Sequence, residues 1–328
     1  MKKKRNVVGK YILLSQIYVF ASVVAVPCSF AKIYDKATEI IVSHETKKSE
    51  VKKSETTQSK GINYIVGGMG IDDYIKGVVA AEMPVSFPLE ALKAQAVASR
   101  TYAVRAIENA DKELEPQDIG QAYIDVDKMK KNWGDNFDTY YAKICQAVDT
   151  TNDEIMVYGG EPILAVFHST SAGETETAGN IWNYDLPYLV STDSEGDTYA
   201  PNYEISAEFT PEQMIEKIKA KHSDFDADTE SVFDTIAINE RSEAGYVTDM
   251  TIGNKKFTGK EIREALGLRS ANFTVSKEGK SIIFTTKGFG HGAGMSQYGA
   301  KYMADNGCDY LTILNHYYKD ISIDALKK

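Results

Sequence analysis

Apolar positions change rhythm along this chain, and each rhythm predicts a different kind of element. Residues 11–26 (YILLSQIYVFASVVAV) are almost wholly apolar. Residues 32–60, with HETKKSEVKKSETTQSK among them, lose all apolar period and read as a flexible linker. Folded structure is expected from Gly61 onward. INYIV (62–66) reads as a short strand closed by Gly67 and Gly68. Apolar residues at 71, 74, 75, 78 and 79 predict a helix over 71–81, and Pro84 and Pro88 stop it. Leu89, Leu92, Ala96, Ser99, Ala103 and Ala106 make one narrow stripe on a second helix running to about residue 108. Side chains that small predict close packing of the two helices.

Further along, a helix is predicted over 136–149. EIMVY and PILAVFH flank Gly159-Gly160-Glu161, a hairpin pattern. Thr210-Pro211 opens a helix over 210–221. DTIAIN, YVTDMTI and SIIFTTKG read as strands, and TGKEIREALGL as a helix capped by Thr258. GFGHGAGMSQYGAKYMADNG is a glycine-rich loop leading into a helix, and YLTILNHYY is a last amphipathic helix. Strands and helices do not alternate regularly, and no repeat is present. The expected fold class is α+β: a single module over 61–328 with a helical elbow and mixed strands, following an apolar segment (1–31) and a linker (32–60).

Charge and composition narrow the function. A formal net charge of −10 argues against broad nucleic-acid binding, which needs a basic face. Cys28, Cys145 and Cys308 form no CxxC pair, and no two histidines stand at metal-ligand spacing, so neither a metal nor another cofactor is expected. The basic start Met1-Lys2-Lys3-Lys4-Arg5 before the apolar run reads as a signal peptide or a membrane anchor, with the rest of the chain exported.

The stretch VVAAEMPVSFP (78–88) carries the sharpest chemical question. Glu82 stands where an apolar helix ends and the backbone must turn. A carboxylate there faces the negative end of the helix dipole. Such a site raises its pKa and suits a general acid. Lys93 and Arg100 are seven residues apart on the second helix and share a face, so they are expected to line a groove beside Glu82. Gln95, Ser99 and Tyr102 supply polar groups to the neighbouring face. His168-Ser169-Thr170-Ser171 leaves a strand end. The glycines around His291 let that imidazole approach a neighbour closely.

Taken together, these pieces resemble the stage II sporulation protein D family. The resemblance is carried by DDYIKGVVAAEMPVSFPLEALKAQAVASRTYAV (72–104), FHSTSAGETE (167–176), PYLVSTDSEGD (187–197), FTGKEIREALGLRSANFTV (257–275), KGFGHGAGMSQYGA (287–300) and LTILNHYYKDI (311–321). It covers nearly all of 61–328. It implies cleavage of peptidoglycan glycan strands stripped of stem peptides, by a lytic transglycosylase whose catalytic acid is Glu82. Lys93, Arg100, Tyr102, His168, Ser169, Tyr188, His291 and Gln297 are then expected to orient the glycan. The resemblance also implies work beside stage II sporulation proteins P and M, and an anchor retained in the engulfing membrane of the mother cell. Some relatives hold zinc through cysteines near the FHSTS loop; Ser169, Thr170 and Ser171 stand there in this chain, and no metal is carried over. The family also includes activators, so a glycan-binding scaffold that stimulates an amidase is the alternative.

Overall fold

Two helices meeting at an elbow organise the first half of the fold. The computed structural model describes residues 64–326; the apolar segment and the linker lie outside the described residues. A small ribbon, β1 (Ile65–Val66) and β2 (Met69–Gly70), leads into α1 (Ile71–Glu82). Ile71, Tyr74, Ile75, Val78 and Val79 are its buried stripe, as a 3.6-residue period requires. Met83 leaves the helix in an extended conformation, which the following proline demands. Helix α2 (Leu89–Asn109) begins directly after Pro88 and is buried on most sides by Ala91, Ala94, Ala96, Ala98, Ala103 and Ala106. Between the helices the elbow is pinned from outside. Lys143 donates to the carbonyls of Val85 (2.9 Å) and Phe87 (2.6 Å).

Arg100 is the largest fully buried side chain of the described residues. Its Nε lies 2.9 Å from Asp72 of α1, and its terminal nitrogens donate to the carbonyls of Glu154 and Val148 at 3.2 Å. This corrects the expectation that Arg100 lines an open groove. Seven-residue spacing puts Lys93 and Arg100 on one face, but other elements cover the far end of that face.

Short helices α3 (Pro116–Ile119) and α4 (Val126–Trp133) lead to α5 (Phe137–Asp149). The hairpin β3 (Glu154–Tyr158) and β4 (Glu161–Pro162) turns at Gly159-Gly160 as expected. The strand expected over PILAVFH is extended ladder only at its two ends, Pro162 in β4 and Phe167–His168 in β5. Residues 163–166 are buried without a regular ladder, and the Leu164 N–H goes to the Tyr188 hydroxyl at 3.0 Å instead.

After α6 (Ala178–Trp182) comes a second packing unit. It holds β6 (Glu204–Phe209), α7 (Pro211–Lys219), β7 (Ala237–Arg241), β8 (Val247–Ile252), β9 (Lys255–Phe257), α8 (Gly259–Leu266), β10 (Phe273–Glu278) and β11 (Ser281–Lys287). Two antiparallel sheets, β10-β11-β6 and β7-β8-β9, share with α7 and α8 a core of Phe209, Ile218, Phe225, Met250, Phe257, Ile262, Phe273 and Phe284. Thr258 caps α8 in a reciprocal box with Glu261. The chain then returns to the first core through β12 (Met295–Ser296), α9 (Gln297–Asp305), α10 (Tyr310–Tyr317) and β13 (Ser322–Ala325). β12 pairs in parallel with β5, and β13 runs antiparallel to β3. The class is α+β. β9, β10 and β13 carry few apolar residues and do not stand out in the sequence pattern. β6 was not anticipated, although its alternating Ile205, Ala207 and Phe209 make it legible.

Candidate active site

Glu82 is the last residue of α1. Its side chain is crowded on most sides yet keeps an opening to solvent. Burial pushes the carboxyl up to about 7, against smaller downward pulls from the Ala122 N–H and the Gln297 side chain. The Ala122 N–H donates to Oε1 at 2.7 Å. That contact depends on how closely the 120–125 loop approaches α1. Gly77 makes the approach possible: a Cβ there would fall 2.3 Å from the Tyr123 ring. Tyr123 stacks on Tyr74 with centroids 5.5 Å apart, and the Ile124 N–H reaches the Gly77 carbonyl at 3.3 Å.

A chain of amides runs away from the carboxyl. Gln297 Nε2 donates to Gln95 Oε1 (3.3 Å), and Gln95 Nε2 donates to the Ser99 hydroxyl (2.9 Å). Gln121 Nε2 donates to the Ser99 carbonyl (3.1 Å), but Gln121 Oε1 is buried without a hydrogen-bond partner. The Tyr74 hydroxyl is buried and equally without a partner. Burial first, then the charge of Glu82 and the neighbouring Tyr102, push its phenol far up and keep it protonated. Each such buried atom costs about 1–3 kcal/mol. Two of them near one raised carboxyl mark a place equipped for a polar ligand.

Next along the fold are His168 and His291, with ring centroids 5.6 Å apart. Burial holds both imidazoles down at about 3, so both are neutral at pH 7. One residue sets both tautomers. The Ala293 carbonyl takes the Nδ1 proton of His168 (3.0 Å), while the Ala293 N–H donates to Nδ1 of His291 (3.1 Å). His168 therefore carries its proton on Nδ1 and His291 carries its proton on Nε2. His168 Nε2 is left buried with no hydrogen bond. The glycine-rich loop can run this close because Gly290 (φ +121°) would drive a Cβ to within 2.7 Å of His168 Cβ. Register then ties the pair to α9: β5 residue His168 lies opposite Ser296, the N-cap of α9, and the Ser169 carbonyl accepts from the Tyr298 N–H at 3.1 Å.

The residues expected to orient a glycan thus separate into groups. Gln297 touches Glu82, Tyr102 lies within electrostatic reach of Tyr74, and His168, Ser169 and His291 follow along the β5–β12 junction. Lys93 instead pairs with Glu90 at 2.7 Å and sits over the Tyr310 ring. Arg100 is committed to Asp72. Tyr188 is 4% exposed, and its hydroxyl accepts the Leu164 N–H, a supporting role in the core. Gln121, Ala122 and Tyr74 were not anticipated. Tyr74 shares the i, i+4, i+8 face of α1 with Glu82, which could have found it; no local pattern marks the loop. Among the described residues, no cluster of side chains suits a metal ion.

Helical elbow, desolvated carboxyl and paired neutral imidazoles make up one polar site in an α+β module, and comparison with known proteins gives its family. The profile of the family described as "Stage II sporulation protein" matches residues 59–158, and that of a domain of unknown function matches 190–294. The chain is 38% identical over 290 residues to stage II sporulation protein D of Bacillus amyloliquefaciens, covering 85% of this chain and 82% of that protein. It is 34% identical over 327 residues to stage II sporulation protein D of Bacillus subtilis (strain 168), covering 95% and 93%. A more distant relative is the amidase enhancer of Bacillus subtilis (strain 168), 27% identical over 301 residues, 76% of this chain and 40% of that protein. The chain belongs to the stage II sporulation protein D family.

Proposed function

We propose that this chain cleaves the glycan strands of peptidoglycan as a lytic transglycosylase, with Glu82 as acid and then as base. The observation that carries the reading is one desolvated carboxyl at a helix end, its pKa raised to about 7. A general acid–base group works best with a pKa near the working pH. Protonated Glu82 gives its proton to the glycosidic oxygen as the bond from C1 breaks. The carboxylate then takes the proton of the sugar's own 6-hydroxyl, whose oxygen bonds to C1. The new end is 1,6-anhydromuramoyl, no water is consumed, and Glu82 is protonated again. The Ala122 N–H and Gln297 stabilise the carboxylate between the two transfers.

Hydrolysis by a carboxylate pair needs a second acid roughly 5–9.5 Å away. Asp72 is paired with Arg100, Glu90 with Lys93 and the Tyr310 N–H, and Glu174 with Ser191. Buried Glu176 accepts from Asn180 and the Thr177 N–H through Oε1 alone and keeps Oε2 without a partner, which makes it the acid to test if hydrolysis is found. His168 and His291, neutral and fixed in tautomer, serve as hydrogen-bonding groups toward the sugar. The wider reading follows the resemblance. The substrate is glycan stripped of peptides, cleaved during engulfment outside the cytoplasm. Residues 1–31 hold the chain to the engulfing membrane, and stage II sporulation proteins P and M are its partners.

The test is full-length protein on peptide-free glycan in ¹⁸O-water, with products read by mass spectrometry. Unlabelled 1,6-anhydro ends are expected. Labelled reducing ends would mean hydrolysis and overturn the mechanism. The likeness to an amidase enhancer supports one other reading, a glycan-binding scaffold that stimulates an amidase. Stimulation without any cleavage by wild type would favour it.

A further inference from the structure

We propose that the site beside Glu82 continues into an aromatic subsite for the glycan strand, built from Phe87, Tyr298, Tyr302, Tyr199 and Lys301. The proposal rests on the glycan reading above and names where the outer sugars lie. These residues line an open pocket of about 350 Å³. Two of them adjoin the catalytic region in the chain: Phe87 stands on the elbow that follows Glu82, and Tyr298 follows Gln297 on α9. Tyr298, Lys301, Tyr302 and Asp305 recur at i, i+3, i+4 and i+7, so they share one helix face. Gln297 to Tyr302 is about 7.5 Å along the axis. Neither Glu82 nor Gln297 lines the pocket. Two contacts join the elbow to the start of α9, Gln297 to the Glu82 carboxyl and Tyr298 to the Phe87 ring, so the pocket neighbours the carboxyl on the same pair of elements.

The aromatic faces are held in place from beneath. Tyr199 and Tyr302 lie nearly parallel, 9° between planes and 5.7 Å between centroids, at 69% and 40% exposure. They come from different segments, the 195–199 turn and α9. Gly196 is the seat for Tyr302: a Cβ there would fall 2.4 Å from Tyr302 Cβ. Buried Asp197 fixes the turn, accepting from the Ser171 N–H (2.8 Å) and from the hydroxyl of Ser296, the α9 N-cap (2.6 Å). Phe87 meets Tyr298 edge to face at 5.1 Å, and Lys301 lies over the Phe87 ring and pairs with Asp305.

Phe87 is a core residue that forms the pocket's base, whereas Tyr199 and Tyr302 are too exposed to contribute much to a core, and such a pair marks an interaction surface. The C–H faces of pyranose rings pack on aromatic faces, while phenol, ammonium and carboxylate groups at the rim reach hydroxyl and acetamido groups. The shared elbow–α9 contacts with the proposed glycan site select a polysaccharide over a peptide. The occupant is the stretch of N-acetylhexosamine rings flanking the bond to be cut.

The experiment uses the full-length protein and a peptide-free octasaccharide of alternating N-acetylglucosamine and N-acetylmuramic acid. Binding is measured in the Glu82→Gln background, and kcat and KM with Glu82 intact. Replacing Tyr199 and Tyr302 together with Ala should weaken binding and raise KM by at least about fivefold, with kcat much less affected, since stacking contributes uniformly to ground and transition states. The Phe pair should restore both values, which a loss of fold would not allow. Tyr199→Ala alone, at the most exposed ring, should show a smaller change in the same direction. Unchanged binding and KM in the Ala pair would overturn the subsite, as would failure of the Glu82→Gln protein to bind the octasaccharide. Binding that depends on both tyrosines, with no anhydro ends from wild type, would keep the subsite and remove the transglycosylase reading.

Discussion

Glu82 holds a proton near neutrality because of what surrounds one carboxyl, and that has two measurable consequences. The first concerns rate. If the acid form starts the reaction, kcat/KM on peptide-free glycan should fall as pH rises through about 7, the value to which burial raises Glu82. A profile flat from pH 5 to 9 would count against Glu82 as the acid. Glu82→Gln keeps size and hydrogen bonding but cannot pass a proton, so turnover should drop by at least about 10²-fold. The second concerns stability. The folded pKa lies above the unfolded one, so the folded state binds the extra proton between them. Stability attributable to this residue is complete below the unfolded value and is lost as pH rises toward about 7. Glu82→Gln mimics the protonated acid. It should therefore melt higher than wild type at pH 8 and at nearly the same temperature at pH 4, by calorimetry.

The elbow, the 120–125 loop and the glycine-rich loop deliver these side chains, and each depends on a contact between elements. Gly77 lets the loop lie against α1. Gly77→Ala should push Tyr123 outward, lengthen the Ala122–Glu82 contact and reduce activity more than stability; a chemical-shift change of the Ala122 amide would register the displacement. Arg100 acts at the same scale. Its guanidinium is fully buried, and Asp72 is 28% exposed. Removing the guanidinium leaves Asp72 partly solvated but opens a cavity and orphans the Glu154 and Val148 carbonyls, so Arg100→Ala should cost about 2–4 kcal/mol in denaturant unfolding. The protein that remains folded should retain its activity per molecule. Selective loss of activity with stability intact would return Arg100 to the groove. The helices themselves were legible from periodicity, because a stripe of apolar residues has to be buried whatever it meets. The elbow's fastening was not: Lys143 reaches the Val85 and Phe87 carbonyls from α5, more than fifty residues away.

At the scale of the whole molecule, two large hydrophobic cores among the described residues divide the labour, beside a small cluster of Ala244, Tyr246 and Ala271. The first carries Glu82, the imidazole pair and the aromatic pocket; the second packs the sheets of 204–287. Residues 1–31 should keep the protein with membranes after cell fractionation, and deleting them should release an active, folded protein; recovery of the native chain only as a shortened soluble form would argue against a retained anchor. From sequence alone came the α+β class, the two helices of the elbow, the position of Glu82 at a helix end and the family resemblance. Those rest on local rules: apolar period, proline stops, glycine turns and motif order. Tertiary structure alone decided that Arg100 is buried, that Tyr188 supports the core, that Ala122 and Gln297 meet one carboxylate, and that Tyr199 and Tyr302 lie side by side. Each of these joins residues 24 or more positions apart in the chain. Spacing along one helix fixes which residues share a face, but only packing decides whether that face meets solvent, a partner charge or a substrate.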